Sequence, residues 1–197
     1  MALQQEAGAG TGTTFQVERS YIVAQMSTGL LIVDQQLAHE RILYERYGKQ
    51  LQTTQGASQQ CLFPTVLTLN PADFALVMDM LPELVSLGFL VDEFGKDTVV
   101  IRGVPAETQV KNEKELFEGL IEQYKNFKNE LSLDKKENLA RSLAKRSCLK
   151  KGQKLDAQEM ETLVGQLFAC PNPNYSPSGN KTFVKLDLTS IHAFFAK

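Results

Sequence analysis

A short apolar run that ends at a carboxylate constrains the fold of this chain more than any other feature of its sequence. Residues 29–33 read Gly-Leu-Leu-Ile-Val, and Asp34 follows them directly. A continuous apolar run of this length is typical of a buried strand. The turn-forming cluster 26–29 pairs it with the β-prone stretch 15–25, which predicts a hairpin. From Asp34 onward the sequence predicts a helix that ends near Gln52.

Asp34 has two interpretations, and the sequence leaves both open. An acid leaving a strand, with Glu40 and Glu45 on the next helix, can gather carboxylates around a divalent metal. Asp34 can equally be the N-cap of that helix, because Asp is favoured at this position. His39 lies three residues after Gln36 and falls on nearly the same helical face. It either reaches towards such a metal or is a solvated helix residue.

The remaining sequence alternates β-prone and helical segments, which predicts an α+β fold. Asn70 and Pro71 carry the signals of an N-cap and a first helical residue, and Gly88 ends that helix. Further β-prone segments span residues 61–69, 89–94, 98–104 and 182–186, and further helices span residues 113–129, 134–149, from 155 onward and 189–195. The Pro-rich stretch 171–179 cannot be regular structure.

Composition excludes several classes of protein. With 197 residues and 43% hydrophobic content, the chain can build one or two compact lobes. A net charge of −2 argues against a strongly basic nucleic-acid-binding domain. No apolar run could span a bilayer, so we expect no membrane partner.

The cysteines and histidines limit the possible chemistry. Three cysteines, Cys61, Cys148 and Cys170, suit reduced thiols in the cytoplasm better than a disulfide framework. The only histidines are His39 and His192, so a metal site of imidazole and thiolate is short of ligands.

Three segments together resemble the C-terminal domain of the MutL mismatch-repair family. Residues 16–45 resemble a family run that ends in D-Q-H-A-x-x-E-x-x-x-x-E, and residues 146–152 resemble its basic segment. Residues 172–179 lie where nuclease-competent members carry C-P-H-G. The resemblance covers nearly all of the chain after Phe15. Nothing matches the family's ATPase domain, so ATP is expected to bind only to residues outside this chain.

The resemblance assigns candidate catalytic and metal-binding residues. In nuclease-competent members the motif's Asp, His and first Glu, with the late Cys and His, hold divalent metal. Carried over, Asp34 and Glu40 are candidate ligands of magnesium, manganese or zinc. Asp34, Glu40 and Glu45 are the catalytic candidates, should nuclease activity survive.

The other ligand positions are changed in this chain. The motif histidine is replaced by Gln36, the late cysteine and histidine by Ser176 and Ser178, and the basic-segment cysteine by Lys145. Neutral oxygen ligands bind zinc or manganese more weakly than imidazole or thiolate. We therefore expect a degenerate metal site with weakly bound metal or none. The alternative is a metal-dependent DNA-nicking endonuclease with altered ligands, in which His39 and Cys170 compensate.

Residues 59–64 fit the pattern Q-x-x-[L/I]-x-P, which in this family binds the replication sliding clamp. Gln59 offers an amide, Leu62 and Phe63 offer apolar anchors, and Pro64 limits the unbound conformations. The alternative is that Leu62 and Phe63 begin a buried strand with Pro64 at its edge.

The resemblance also implies a homodimer built from two lobes. We expect a flexible linker over residues 1–14, a discontinuous dimerisation lobe over 15–54 and 138–197, and an inserted regulatory α+β lobe over 55–137. Interface candidates are the hairpin 17–33 and the terminal residues Ile191, Phe194 and Phe195. The alternative is that these residues fill the core of their own lobe.

A basic cluster is the candidate for weak contact with the DNA backbone. Its main members are Arg146, Lys150 and Lys151, and the alternative is a solvated helix face. The resemblance further implies a MutS-type mismatch recognition protein as partner of the full-length protein, and a nucleoid-associated location in a bacterial cytoplasm.

Overall fold

A computed structural model describes residues 13–54, 56–108, 112–130 and 134–196. Residues 1–12 of the predicted linker therefore lie outside the described residues. The fold is α+β, as predicted. Its strands are β1 Thr14–Val17, β2 Tyr21–Met26, β3 Gly29–Asp34, β4 Ser58–Thr68, β5 Leu90–Glu93, β6 Thr98–Pro105 and β7 Phe183–Asp187. Its helices are α1 Gln35–Thr53, α2 Pro71–Ser86, α3 Glu113–Glu130, α4 Lys135–Ser147, α5 Ala157–Ala169 and α6 Leu188–Ala193.

The chain divides into two compact units. Unit 1 contains the residues up to Ile42 and those from Cys148 onward, and unit 2 contains Leu43–Ser147. The first and last segments of the sequence thus fold together. The biological lobe boundaries at 54/55 and 137/138 stay a prediction. No helix in the described part of the chain is long and apolar enough to cross a membrane.

Unit 1 contains an antiparallel sheet with the strand order β1-β2-β3-β7. The stretch 15–25, predicted as one strand, is in fact two strands joined by a tight turn. Glu18 and Arg19 form that turn with φ angles of 50° and 48°. The left-handed region favours Gly and Asn, so two charged residues gave no turn signal.

One face of this sheet packs on α5 to form the core of unit 1. The buried side chains of the sheet include Ile22, Leu31 and Val33. They meet the apolar face of α5, which consists of Met160, Leu163, Val164, Leu167 and Phe168. Asp156 and Glu159 start α5 with a reciprocal capping box. Helix α5 therefore covers one of the two faces of this sheet.

Unit 2 contains a three-stranded antiparallel sheet with the order β4-β6-β5, together with α2, α3 and α4. Asn70 caps α2 and Pro71 is its first residue, as predicted. Gly88 follows the helix with a φ of +98°, and a Cβ there would lie 2.4 Å from the Ala57 carbonyl oxygen. Only glycine can make this close turn into β5.

Asp73 in the first turn of α2 gives a pH-dependent prediction. Its carboxylate accepts hydrogen bonds from the Lys125 ammonium and from the Asn70 amide, both at 2.8 Å. The bond from Lys125 is the main reason that the pKa of Asp73 lies below its ordinary value of 3.8. We expect Asp73→Asn to lower the free energy of unfolding at pH 7 by about 1 kcal/mol.

The direction of the pH dependence follows from the lowered pKa of Asp73. The contribution of Asp73 is complete above its unfolded pKa and is lost as pH falls through the lower folded value. Urea unfolding at pH 7 and near pH 3 should show the difference between variant and parent shrinking in acid. Asp92→Asn is the matched control, because its pair with Arg102 is exposed and exposed pairs contribute little. An equal, pH-independent loss in both variants would contradict this account.

Candidate functional site

The face of the sheet in unit 1 that lies opposite α5 is apolar and only partly exposed, since Val23 on it is buried. Strand register places Phe15 opposite Val23, Val23 opposite Ile32, and Ile32 opposite Val184. Side chains of register partners point to the same side of a sheet, so these four residues form one row across all four strands. Phe15 is 51% exposed and Val184 is 47% exposed.

Further members of the face lie two residues from that row along each strand. We call the whole set the apolar face: Phe15, Val17, Tyr21, Val23, Gln25, Leu30, Ile32, Asp34, Val184 and Leu186. Asp34 is its only charged member, at the end of β3. One side of the hairpin 17–33 fills the core, and the other side is partly exposed. A role of the hairpin in an interface stays a prediction.

The terminal helix α6 adds more exposed hydrophobic surface. Asp187 caps the helix by accepting a hydrogen bond from the Ser190 amide. Leu188, Phe194 and Phe195 are all exposed, and Phe195 is 84% accessible. Ile191 is half-buried. Phe194 and Phe195 thus do not fill the core of unit 1.

The first candidate ligand, Asp34, is engaged at the start of α1. One oxygen of its carboxylate accepts a hydrogen bond from the Leu37 amide at 2.9 Å. Its own backbone amide donates to the Thr182 carbonyl oxygen at 2.9 Å. Asp34 therefore performs the N-cap role that was one of its two predicted interpretations.

Glu40 and Arg41 of α1 form hydrogen bonds to the Pro-rich stretch 171–179, which we call the Pro-rich loop. The Ser178 hydroxyl donates to the Glu40 carboxylate at 2.7 Å, and the Arg41 Nε donates to the Tyr175 carbonyl oxygen at 2.6 Å. Glu40 and Arg41 are both buried. The structure therefore brings Glu40 and Ser178 together, as the resemblance implies. Ser176 is also buried, and its amide donates to the Asn180 carbonyl oxygen.

Cys148 is a neighbour of this cluster that the sequence did not identify. Burial raises the pKa of the Cys148 thiol to about 11; the positive charge of Lys150 acts against this shift and the negative charge of Glu40 adds to it. A hydrogen bond joins the thiol to Gln36. The resemblance places the cysteine of the family's basic segment at Lys145. Cys148 follows Lys145 by about one helical turn, and this spacing in the sequence could have identified it as a neighbour of the cluster.

Two predicted substitutes for the missing ligands have structural roles. His39 is buried, and its Nδ1 accepts a hydrogen bond from the Leu149 amide at 3.0 Å. The expectation of a solvated histidine is therefore wrong. The Cys170 thiol donates to the Gln166 carbonyl oxygen at 3.4 Å, and Cys170 packs beside the core of unit 1.

The donors in this region differ from the imidazole and thiolate set of the nuclease-competent members. One carboxylate oxygen of Asp34 and one of Glu40 each accept a hydrogen bond. Ser178 and Gln36 are weak neutral ligands. No three His, Cys, Asp or Glu side chains converge as a metal-binding group within the described ranges. Glu45 is half-exposed further along α1.

Gln35, the second residue of the motif, forms a buried hydrogen-bonded node. Its side-chain amide nitrogen donates to the carbonyl oxygens of Arg19 at 2.8 Å and Gln153 at 3.0 Å. Its oxygen accepts from the Gln16 amide at 2.6 Å, and the oxygen of Gln16 accepts from the Leu155 amide. One fully buried side chain therefore joins β1, the turn after it and the loop before α5.

We predict that Gln35→Leu is strongly destabilising. The substitution removes the hydrogen bonds that the fully buried Gln35 side chain makes with Arg19, Gln153 and Gln16, which should cost about 2–4 kcal/mol in the free energy of unfolding. Urea unfolding followed by circular dichroism measures this loss. Gln158→Leu on the exposed side of α5 is the control and should change stability by less than about 0.5 kcal/mol. Equal effects of the two substitutions would show that the node is unimportant.

The segment 59–64 leaves its sheet at an exposed edge. β4 pairs only with β6 among the described strands, and the register shifts between Gln60 and Thr65. The four residues between them therefore lie outside the regular ladder. Leu62 is 87% exposed and Phe63 is 77% exposed. The alternative that they begin a buried strand is wrong.

The basic candidates for DNA contact lie in different environments. Arg146 belongs to unit 2, where its guanidinium donates to the Gly119 carbonyl oxygen at 2.8 Å and pairs with Glu122 at 2.7 Å. Lys150 and Lys151 belong to unit 1 and are exposed in the turn after α4. The Lys145 ammonium lies 5.2 Å from the centroid of the Phe127 ring. DNA contact by Arg146, Lys150 and Lys151 stays a prediction.

Comparison with known proteins identifies the family. Residues 14–155 match the family model described as the MutL C terminal dimerisation domain. DNA mismatch repair protein MutL of Chlorobium phaeovibrioides is 37% identical over 183 residues, which are 93% of this chain and 30% of that protein. The MutL proteins of Chlorobaculum parvum and Chloroherpeton thalassium are each 36% identical, over 93% of this chain and 29% of their own length. The chain spans less than a third of the curated relatives it matches. It belongs to the MutL family of DNA mismatch repair proteins, as a C-terminal dimerisation domain.

Proposed function

We propose that this chain joins two copies of a MutL protein through the apolar face. The supporting observation is the row Phe15, Val23, Ile32 and Val184, which crosses all four strands of the sheet and is exposed at both ends. A contiguous apolar surface of this kind is typical of an interaction site rather than of a monomer surface. Burial of the row against a second copy would remove it from water.

The chemistry of the face suits a two-fold interface. In such an interface each patch contacts the same patch on the other copy, so like charges would meet near the axis. The apolar face has one charged member, Asp34, at the end of β3 rather than in the central row. Its aromatic members, Phe15 and Tyr21, are of the kind enriched in interface cores. The exposed Phe194 and Phe195 after β7 extend the apolar surface available to a partner.

Sedimentation velocity over a concentration series tests this proposal. The account predicts a species of twice the 22.0 kDa chain mass that dissociates on dilution. A single species of one chain mass at tens of micromolar would overturn it.

We further propose that residues 59–64 dock on the replication sliding clamp. The supporting observation is the combination of a short-peptide pattern with exposed anchors, Leu62 and Phe63, in a break of the edge strand β4. A segment outside the ladder can enter a partner's pocket without breaking sheet hydrogen bonds. Surface plasmon resonance against immobilised clamp tests it, and no binding by the dimeric chain would overturn it.

The remaining expectations have less support from the structure. The donors around Glu40 do not favour metal-dependent nicking, which stays an untested alternative. Contact with a MutS-type protein, binding of ATP outside this chain and a nucleoid-associated cytoplasmic location stay predictions.

A further inference from the structure

Residues 61–64, which we call the clamp loop, leave β4 from the middle of its ladder with β6. Before the loop, Gln60 lies opposite Gly103, and after it Thr65 lies opposite Ile101. Four residues of β4 therefore face a single residue of β6. An ordinary bulge sets two residues against one, so this insertion is longer than a bulge and the chain must fold outward here.

The two ends of the clamp loop are held close together. Their partners on β6 are two positions apart, which is about 7 Å along a strand. A fully extended chain from Gln60 to Thr65 would cover about 17 Å. The loop therefore closes back on its own strand, and Leu62 and Phe63 lie in its exposed part.

The arm before the loop, residues 56–60, is fixed by contacts at the end of α2. The Gly56 amide donates a hydrogen bond to the Ser86 carbonyl oxygen at 2.9 Å. The Ser58 hydroxyl donates to the Gly88 carbonyl oxygen at 2.6 Å. Two hydrogen bonds thus hold this arm against the turn that connects α2 to β5.

Gly103 sets the separation between this arm and β6. A Cβ at this position would lie 3.0 Å from the Gln59 carbonyl oxygen and 2.9 Å from the Leu90 Cδ1 atom. The Leu90 side chain can rotate away, but the Gln59 oxygen can move only with the backbone of β4. A side chain at residue 103 would therefore displace the strand directly before the clamp loop.

The arm after the loop, residues 65–69, is fixed by burial and by a turn. Leu67 is buried and lies opposite the buried Val99 of β6. The Leu69 amide donates to the Asp97 carbonyl oxygen at 2.8 Å. Both ends of the clamp loop are thus held by the folded unit 2 before a partner binds.

We propose that β6 presents the clamp loop in a preformed, binding-competent conformation, with Gly103 as its positioning residue. This inference rests on the proposed contact with the sliding clamp. A flexible peptide motif loses conformational freedom when it binds, whereas a loop held at both ends has lost most of that freedom on folding. Apparent affinity falls in proportion to the fraction of molecules in the competent conformation, and the two arms keep that fraction high.

Insertion of two glycines between Pro64 and Thr65 of the full chain tests the proposal. The insertion retains every side chain of the motif and both arms, and it changes only the freedom of the loop. We expect clamp affinity, measured by surface plasmon resonance, to fall at least about tenfold. Urea unfolding should change little, because lengthening an exposed loop has a small entropic cost.

The same insertion between Gly95 and Lys96 is the matched control. These residues lie in the exposed turn between β5 and β6, in the same unit. The control should leave clamp affinity within about threefold of the parent, because surface changes away from an interface have small effects. An equal loss of affinity in both insertion variants would overturn the preformed loop.

Gly103→Ala is the second variant, because it displaces the arm before the loop and leaves the motif unchanged. We expect it to weaken clamp binding by about threefold to tenfold while circular dichroism shows a folded chain. Gly48→Ala on α1 is its control, since a Cβ there would meet no atom within 4 Å, and it should leave the affinity unchanged. Equal affinity of the Gly103→Ala variant and the parent would remove the positioning role.

The two proposals fail in different ways. Unchanged affinity after insertion next to Pro64 would overturn the preformed loop, although the clamp contact itself would stand. No binding by the parent chain would overturn the clamp contact. If Gly103→Ala does not fold, the insertion variants decide the question alone, because they leave the arms and the core of unit 2 unchanged.

Discussion

Replacing Phe15 and Val184 with glutamate is expected to convert the dimer into folded monomers. Both side chains are about half-exposed within one chain, so the substitutions should cost the monomer little stability. In the proposed dimer they would place four carboxylates against an apolar surface without partners. Burial of unpaired charge is costly, and we expect the dimer dissociation constant to rise by about 100-fold or more. Sedimentation equilibrium measures that constant.

The matched control is Val85→Glu with Phe94→Glu. These residues are similarly exposed hydrophobics, at 53% and 61%, but they belong to unit 2. The control pair adds the same charge and should leave the dissociation constant within about threefold of the parent, because surface changes away from an interface have small effects. If the control pair dissociates the dimer and the Phe15 and Val184 pair does not, the interface lies elsewhere.

The second large effect that we expect is a loss of clamp affinity when the two exposed anchor side chains of β4, Leu62 and Phe63, are removed. Leu62→Ala with Phe63→Ala should weaken binding to the sliding clamp by about 100-fold, since a few apolar anchors usually carry most of the energy of such a contact. Gln59→Ala should have a smaller effect in the same direction, because it removes one hydrogen-bonding group. Surface plasmon resonance with immobilised clamp gives both affinities.

Val66→Ala is the control for clamp binding. Val66 is a 54% exposed hydrophobic residue of the same strand, two positions after Pro64 and outside the motif. Its substitution should leave the affinity nearly unchanged. Sedimentation should find the double variant fully dimeric. A clamp affinity that is equal in the double variant and the parent would remove the motif from the account.

Local signals predicted most of the elements of this fold. Asn70 and Pro71 placed the start of α2 because capping and a fixed φ are properties of single residues. The abrupt end of an apolar run at Asp34 placed the junction of β3 and α1 for a similar reason. The turn at Glu18 and Arg19 was missed, because there tertiary structure imposes a backbone conformation that neither residue favours.

The candidate site depended on contacts that sequence spacing does not encode. The exposure of Leu62 and Phe63 follows from the edge position of β4 and from its register shift, and both are properties of the assembled sheet. The burial of His39 and Cys148 depends on the approach of segments more than one hundred residues apart in sequence. The resemblance located Glu40 and Ser178 correctly as neighbours, but only the structure shows that one is hydrogen-bonded to the other.

Assembly through the apolar face leads to a simple physical picture of unit 1. One side of the four-stranded sheet is stabilised by α5 within the chain, and in the proposed dimer the other side packs on a second chain. The Glu40, Arg41 and Ser178 contacts keep the Pro-rich loop in place next to β7, so the outer strand of the sheet has a rigid neighbour. Dimerisation and loop order then depend on different residues and can be varied separately.

Hydroxyl-radical footprinting at concentrations above and below the dimer dissociation constant tests the central claim most directly, because it measures the solvent access of individual side chains. We expect Phe15 and Tyr21 to become protected as the dimer forms, while Phe63 and Phe94 react equally at both concentrations. Protection of Phe63 or Phe94 in the dimer, with Phe15 and Tyr21 unchanged, would contradict the account.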